Sequence, residues 1–103
     1  MYKVKIKGYE YTIIETNKER DDRLIVNDEY AIGTCHNLKQ EIVLLNTVSV
    51  KRLKQTLIHE LVHAFIEVYG FYDYTFNEEA MCNFIEVYSE DILNIANDYM
   101  NQR

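Results

Sequence analysis

The chain contains no proline and no tryptophan, and it has three glycines and two cysteines among its 103 residues. No stretch has the composition of a linker, and the length predicts a single domain over residues 1–103. Cys35 and Cys82 form no CxxC pair, and the pattern leaves a bridge between them open. No apolar run approaches the roughly 18 residues of a membrane span, and the N-terminus does not resemble a signal peptide. We therefore expect a cytoplasmic protein with reduced thiols and no membrane partner.

Positive charge is also scarce, since the formal net charge is −6. Sequence-independent nucleic-acid binding needs clustered lysine and arginine, so we expect no nucleic-acid partner. One short basic run consists of Lys51, Arg52 and Lys54. We interpret it as the solvated start of a helix rather than as a phosphate site.

The N-terminal half carries strand signals. Apolar and lysine residues alternate over residues 2–7, the pattern alternates again over residues 9–13, and Lys7-Gly8 between them predicts a hairpin turn. Shorter apolar runs follow at residues 24–26 and 30–35, and residues 41–46 read as a buried strand.

From Ser49 onwards the apolar period becomes helical. Ser49 is a suitable N-cap and Gly70 a suitable end for the first helix, while Asn77 caps a second helix whose first turn is acidic. The predicted apolar face of the second helix comprises Met81, Phe84, Ile85, Tyr88, Ile92, Ile95 and Tyr99. Strands followed by helices predict an α+β fold, in which a small, mostly antiparallel sheet packs against two C-terminal helices.

The first helix contains His59-Glu60-Leu61-Val62-His63, an HExxH motif. Residues four apart lie one turn apart on the same helix face, so the two imidazoles can bind one metal ion. Glu60 between them can take a proton from water on that metal. The helical period places His59 and His63 at the edge of the apolar stripe and Glu60 further round. We predict a Zn²⁺ site with His59 and His63 as ligands and Glu60 as the catalytic general base.

A hydrolytic zinc site needs a third protein ligand, and the second helix offers Glu78 and Glu79. Here the sequence resembles the zincin metallopeptidases, specifically the gluzincin branch, whose third ligand is a glutamate on a downstream helix followed by serine and aspartate. In this chain Cys82 stands in the place of that serine and Asn83 in the place of that aspartate. The resemblance implies Glu79 as the third ligand, whereas periodicity alone favours Glu78, which is our second choice.

Residues 30–92 also resemble small bacterial and phage-type zincins such as the ImmA/IrrE group. The resemblance implies a minimal zincin-like fold and a zinc peptidase that cleaves a peptide or protein substrate, with water on the zinc as the nucleophile. It suggests a regulatory or repressor protein as that substrate. The alternatives are a zinc-binding zincin-like interaction module without catalysis and a non-haem iron site, since two histidines and one carboxylate serve that metal too.

Zincins usually add a second donor to the oxyanion, often a tyrosine or a histidine. The candidates in this chain are His36, Tyr72, Tyr74 and Tyr88, with core packing the simpler interpretation for the tyrosines and a surface loop for His36. The strand before the metal helix, residues 42–46, has two equal interpretations. It is either a sheet edge that pairs with extended substrate or an interior strand.

Overall fold

The computed structural model describes residues 1–71 and 77–103, and it has the predicted α+β arrangement. In chain order the elements are β1 (Tyr2–Ile6), β2 (Tyr9–Thr16), a 3-10 helix (Asp22–Leu24), β3 (Ile25–Val26), β4 (Glu29–Tyr30), β5 (Gly33–His36), β6 (Glu41–Leu45), α1 (Val50–Val68) and α2 (Glu78–Gln102).

The hairpin predicted at Lys7-Gly8 is confirmed. Strands β1 and β2 pair antiparallel with Ile6 opposite Tyr9, which leaves a two-residue turn. Both turn residues have positive φ, 51° at Lys7 and 84° at Gly8. This conformation matches the twist of the flanking strands and suits glycine at the second position.

The main sheet has the strand order β1-β2-β6-β5. Strands β5 and β6 pair antiparallel, like β1 and β2, whereas β2 and β6 pair in parallel. The chain therefore leaves the sheet after β2, re-enters it at the edge as β5, and then returns as β6 between β5 and β2. Within this excursion, β3 and β4 form a separate two-stranded sheet whose turn residues Asn27 and Asp28 both have positive φ.

Alternation along the strands gives the sheet two different faces. Tyr11, Ile13, Ile42 and Leu44 point to the face that both helices cover, where they join the main core with Leu57 of α1. On the opposite face, a smaller cluster forms where Val43 and Leu45 pack against Leu24 of the 3-10 helix. The central strand β6 is thus apolar on both faces because both faces are covered.

Helix α2 begins after Asn77, as predicted, and its capping side chain accepts a hydrogen bond from the Ala80 amide at 2.9 Å. The prediction of its apolar face is wrong at two positions, since Met81 and Ile85 are each 53% exposed. At 25 residues the helix is about 37 Å long, as long as the largest dimension of the molecule, 38 Å. The first buried residue of the helix is Phe84, so residues 78–83 add no buried residue to the core.

The far end of α2 is attached to β2 through Glu15. The Tyr99 hydroxyl donates to Glu15 Oε2, and the Arg103 guanidinium donates to both carboxylate oxygens at 2.7 and 3.0 Å. Asn46 adds a further hydrogen bond at 3.1 Å. These donors hold the pKa of Glu15 at about 2, below its usual 4.5. Within the described residues, neither helix is both long and apolar enough to cross a membrane.

Candidate metal centre

Helix α1 begins and ends where the sequence predicts. The Ser49 hydroxyl accepts a hydrogen bond from the Arg52 amide at 3.1 Å, which caps the first turn. After the helix, Gly70 adopts φ +78°, the left-handed conformation typical of the residue that follows a helix. His59 and His63 thus lie in the second half of a regular helix, one turn apart.

The structure brings three predicted site residues together. His59, Glu60 and His63 each offer a ligand atom, and these atoms lie within 4.8 Å of one another. The two imidazole rings are 5.0 Å apart between centroids and inclined at 71°. Both histidines are exposed, whereas Glu60 is 6% exposed. Two accessible imidazoles beside a sheltered carboxylate are a suitable donor set for a divalent cation.

The position of Glu60 differs from the expectation that it lies further round the helix than the histidines. It is the carboxylate that turns inward, because the sheet packs against the arc of α1 that contains Leu57, Leu61 and Ala64. Glu60 falls within this arc at the helical period.

Gly33 at the start of β5 explains how Glu60 is buried beside backbone. A Cβ atom on Gly33 would lie closer than 3.0 Å to Thr56 Cγ2, and 3.4 Å from both Cγ and Oε2 of Glu60. The φ of Gly33 is not positive, so this glycine is needed for space and not for its backbone conformation. The strand and the helix approach closely only because this side chain is absent.

Burial sets the electrostatics around Glu60. Loss of solvent raises the pKa of Glu60 above its usual value, and the nearby His59, His63 and His36 oppose that rise. Burial also raises the pKa of Cys35 to about 12, with Glu60 and Glu67 adding to the effect. Cys35 is therefore an unreactive thiol beside the cluster, since the thiolate is the nucleophilic form.

A cleft of about 490 Å³ opens in front of the cluster. Helix α1 forms one wall with His59, Glu60 and His63, β5 forms the floor, and Ile25 and Val26 of β3 form the opposite wall. Ile25 and Val26 are 41% and 45% exposed. The cleft thus places apolar side chains opposite a polar helix face.

The open question about residues 42–46 is answered by the strand order. Strand β6 lies between β2 and β5, so it is interior, and β5 is the edge strand that borders the cleft. The edge next to the histidines is therefore formed by Gly33–His36.

His36 belongs to this edge strand and not to a surface loop, which corrects the simpler interpretation. Its Nε2 lies 2.8 Å from the Arg23 carbonyl oxygen and 3.1 Å from Thr34 Oγ1. A carbonyl only accepts, so Nε2 carries the proton and Nδ1 is left as an acceptor in the neutral ring. His36 lines the cleft together with both motif histidines.

Of the three tyrosine candidates, Tyr88 is the one within the described residues. Tyr88 lies in an aromatic group, with ring centroids 4.4 Å from Tyr69, 5.3 Å from Phe84 and 6.0 Å from Phe65. Packing is the role the structure gives it. Tyr72 and Tyr74 lie outside the described residues.

Glu78 and Glu79 occupy the acidic first turn of α2, and both are exposed. Neither belongs to the cluster of ligand atoms around His59 and His63 found among residues 1–71 and 77–103. Cys82 and Asn83, which follow them, are exposed as well.

Sequence reasoning missed the wall opposite the helix. The Asn27-Asp28 pair between short apolar runs is a recognisable hairpin signal, but nothing in the sequence relates β3 to the histidines. The close approach at Gly33 was missed too, although glycine within an apolar run often marks such a contact.

Comparisons with protein-family models, with curated proteins and with solved structures found no match for this chain.

Proposed function

We propose that this protein is a zinc-dependent peptidase. The proposal depends on one observation: His59, Glu60 and His63 converge to within 4.8 Å at the wall of a cleft bordered by an edge strand. Two histidines four residues apart on a helix, with a glutamate directly after the first, supply two ligands and the general base in zinc peptidases. The two imidazoles fit a zinc ion, because both are exposed and face the same cleft.

Zinc, when bound, supplies Lewis acidity to a water molecule and to the carbonyl of the substrate. Glu60 would accept a proton from the attacking water and transfer it to the departing amine nitrogen. Its burial favours this role, because the carboxylate lies sheltered from bulk water with a ligand atom of each histidine within 4.8 Å. Because Gly33 has no side chain, β5 can lie close to the Glu60 side chain.

Strand β5 supports a peptide as the substrate. An edge strand offers unpaired backbone groups, and an extended peptide can add to it as a further strand. Because β5 borders the cleft beside the histidines, a peptide paired in this way would lie across them. We place the protein in the cytoplasm, where the free thiols of Cys35 and Cys82 would stay reduced.

The test of catalysis is Glu60→Gln, which removes the base and keeps its size. We expect peptidase activity against unfolded casein to fall by about 10²-fold or more, while the zinc affinity measured by competition with a chelator stays within a few-fold. Glu67→Gln is the matched control, since Glu67 is an exposed glutamate two turns along the same helix and should keep its activity. Full activity in Glu60→Gln would refute the proposed mechanism.

The third ligand remains our prediction of Glu79, with Glu78 second. We expect Glu79→Gln to weaken zinc binding at least tenfold, in line with losses seen when supporting groups of a metal site are removed, and Glu78→Gln to leave it unchanged. The opposite result would reassign the ligand to Glu78. Equal zinc affinity in both variants and the parent would remove both glutamates from the site.

The exposed position of Glu79 outside the cluster favours one alternative, a zinc-binding interaction module without catalysis. A zinc-loaded protein that cleaves neither unfolded nor native protein substrates would support that alternative. Elemental analysis of protein purified without added metal separates both from a non-haem iron site.

A further inference from the structure

A second cavity, of about 350 Å³, continues the cleft towards the start of α1. It shares His59, Glu60, Ala31 and Gly33 with the cleft, so the two spaces are contiguous. The other residues that line it include Arg52 and Gln55 of α1 and, just before β5, Ile32. The space is large enough for one substrate side chain beside the metal centre.

The polar groups along this wall follow one ridge of the helix. Arg52, Gln55, His59 and His63 are separated by three, four and four residues, the spacing of side chains on one face of a helix. Seven residues separate Arg52 from His59, which corresponds to about 10 Å along the helix axis. An extended peptide covers that distance in about three residues.

Arg52 is the part of the basic run that faces the cavity. Lys51 and Lys54 line neither the cleft nor this cavity. Among the described residues the Arg52 guanidinium forms no salt bridge, whereas Arg23 and Arg103 each pair with a carboxylate. In a chain of net charge −6, an unpaired guanidinium at the wall of a cavity is the group that would attract an anion.

We propose that this cavity is a specificity pocket for a substrate carboxylate, held by the Arg52 guanidinium and the Gln55 side-chain amide. The inference rests on the proposed peptidase function and names the substrate class: peptides with a carboxylate within three residues of the bond that is cleaved. Arginine offers a planar pair of N–H donors that matches a carboxylate, and the amide of Gln55 adds a third donor.

Two sources can supply the same group. If the carboxylate is an aspartate or glutamate side chain within the substrate, the pocket selects a sequence. If it is the C-terminal carboxylate of a peptide, the pocket recognises the end of the chain. The rest of the wall, Ala31 and Ile32, would contact the aliphatic part of the bound residue in either case.

The test begins with a cleavage site in unfolded casein, located by mass spectrometry after digestion with the zinc-loaded protein. Synthetic peptides of that site carry Glu or Gln at each of three positions on either side of the bond, each as a C-terminal acid and as an amide. We expect at least a tenfold preference in kcat/KM for Glu over Gln at one position, or for acid over amide. The first result identifies the side-chain source, and the second identifies the C-terminal source. No preference in either comparison would overturn the proposal.

Variants of the pocket sharpen the test. Arg52→Gln should abolish the preference by lowering kcat/KM for the acidic peptides to about that for the neutral ones, while Arg52→Glu should reverse it in favour of a Lys peptide added to the series. Lys51→Gln is the control, because it removes the same charge from the same turn outside the cavity. A preference that survives in Arg52→Gln, or that Lys51→Gln abolishes as well, would assign the effect to general charge and refute the pocket.

A binding measurement separates failure of the pocket from failure of the peptidase function. The zinc-loaded, ¹⁵N-labelled protein is titrated with N-acetyl-glutamate methylamide and with its glutamine analogue, and the side-chain N–H signals of Arg52 and Gln55 are followed. Shifts caused by the glutamate compound alone support the pocket even if no peptide is cleaved. Equal or absent shifts would reject the pocket even if the protein is an active peptidase.

Discussion

A methyl group added at Gly33 tests the contact that holds the edge strand against the metal helix. In Gly33→Ala the new Cβ would overlap Thr56 Cγ2 and press on Glu60, whose Cγ and Oε2 lie at 3.4 Å. Thr56 cannot easily turn away, because it is 7% exposed and its hydroxyl donates to the Arg52 carbonyl at 2.8 Å. Either β5 moves away from α1 or Thr56 changes its rotamer.

The size of the effect follows from the overlap. Overpacking by one methyl group in a tight interior costs about 1–3 kcal/mol. For a domain of this size, 2 kcal/mol corresponds to a decrease in Tm of roughly 10 °C. Thermal and urea unfolding followed by circular dichroism would measure both quantities, and activity should fall as well because Glu60 is displaced.

The companion substitution is Thr56→Ser, which removes Cγ2 and keeps the hydroxyl. We expect it to recover about 1 kcal/mol or more in the Gly33→Ala background, measured as the coupling in a double-mutant cycle. Gly70→Ala is the control, since it places alanine at φ +78° with nothing within 4 Å of the new atom. Its cost of about 1 kcal/mol should be unaffected by Thr56→Ser. A Gly33→Ala protein as stable as the parent, or a loss that Thr56→Ser leaves unchanged, would refute the steric argument.

Two further predictions concern acid and metal. The pKa of Glu15 is lowered to about 2 from 4.5, so the stabilisation it provides is complete above pH 4.5 and is lost as the pH falls from 4.5 towards 2. The side chains of Glu15 and Arg103 are 19% and 31% exposed, so we discount the full shift and expect the free energy of unfolding to fall by about 1–2 kcal/mol. Urea unfolding at several pH values would measure this loss. Glu15→Gln should weaken the dependence of stability on pH, and an unchanged dependence in that variant would contradict the prediction. Zinc at 100 times its Kd should raise the unfolding free energy by about 2.7 kcal/mol. Removal of zinc with a chelator should reverse this gain in the parent protein and should produce no change in His63→Ala. An equal response of the parent and the variant would place the zinc elsewhere.

Local signals in the sequence predicted most elements of the fold. The Lys7-Gly8 hairpin, the caps at Ser49 and Asn77 and the end of α1 at Gly70 each depend on a few neighbouring residues, and each is found in the structure. Turn and cap preferences act over one or two turns of chain, so they can be recognised in the sequence without knowledge of the rest of the fold.

What the sequence could not predict depends on contacts between distant segments. The order of strands places β5 rather than β6 at the edge. That order depends on which distant strands pair with each other, and a local pattern of apolar residues does not show it. The face of α1 that the sheet covers is ambiguous from the sequence as well, because Ile58 and Val62 widen the apolar stripe of this helix.

The candidate site divides in the same way. His59, Glu60 and His63 come together because helix geometry alone fixes their spacing, so the sequence was sufficient to predict their convergence. A ligand on α2 depends on how two helices cross, which periodicity within one helix does not show, and both Glu78 and Glu79 are exposed.

The excursion of the chain between the parallel strands β2 and β6 has an evolutionary consequence. Among the described residues, segment 17–40 forms the side of the cleft that faces α1, including β3 and the edge strand β5. Changing the length of the unpaired stretches between these strands is inexpensive, since doubling a flexible loop costs only about 0.6 kcal/mol in closure entropy. Proteins that evolve from this fold could therefore change the substrates they bind through mutations in this one segment, while the helix that carries the histidines stays the same.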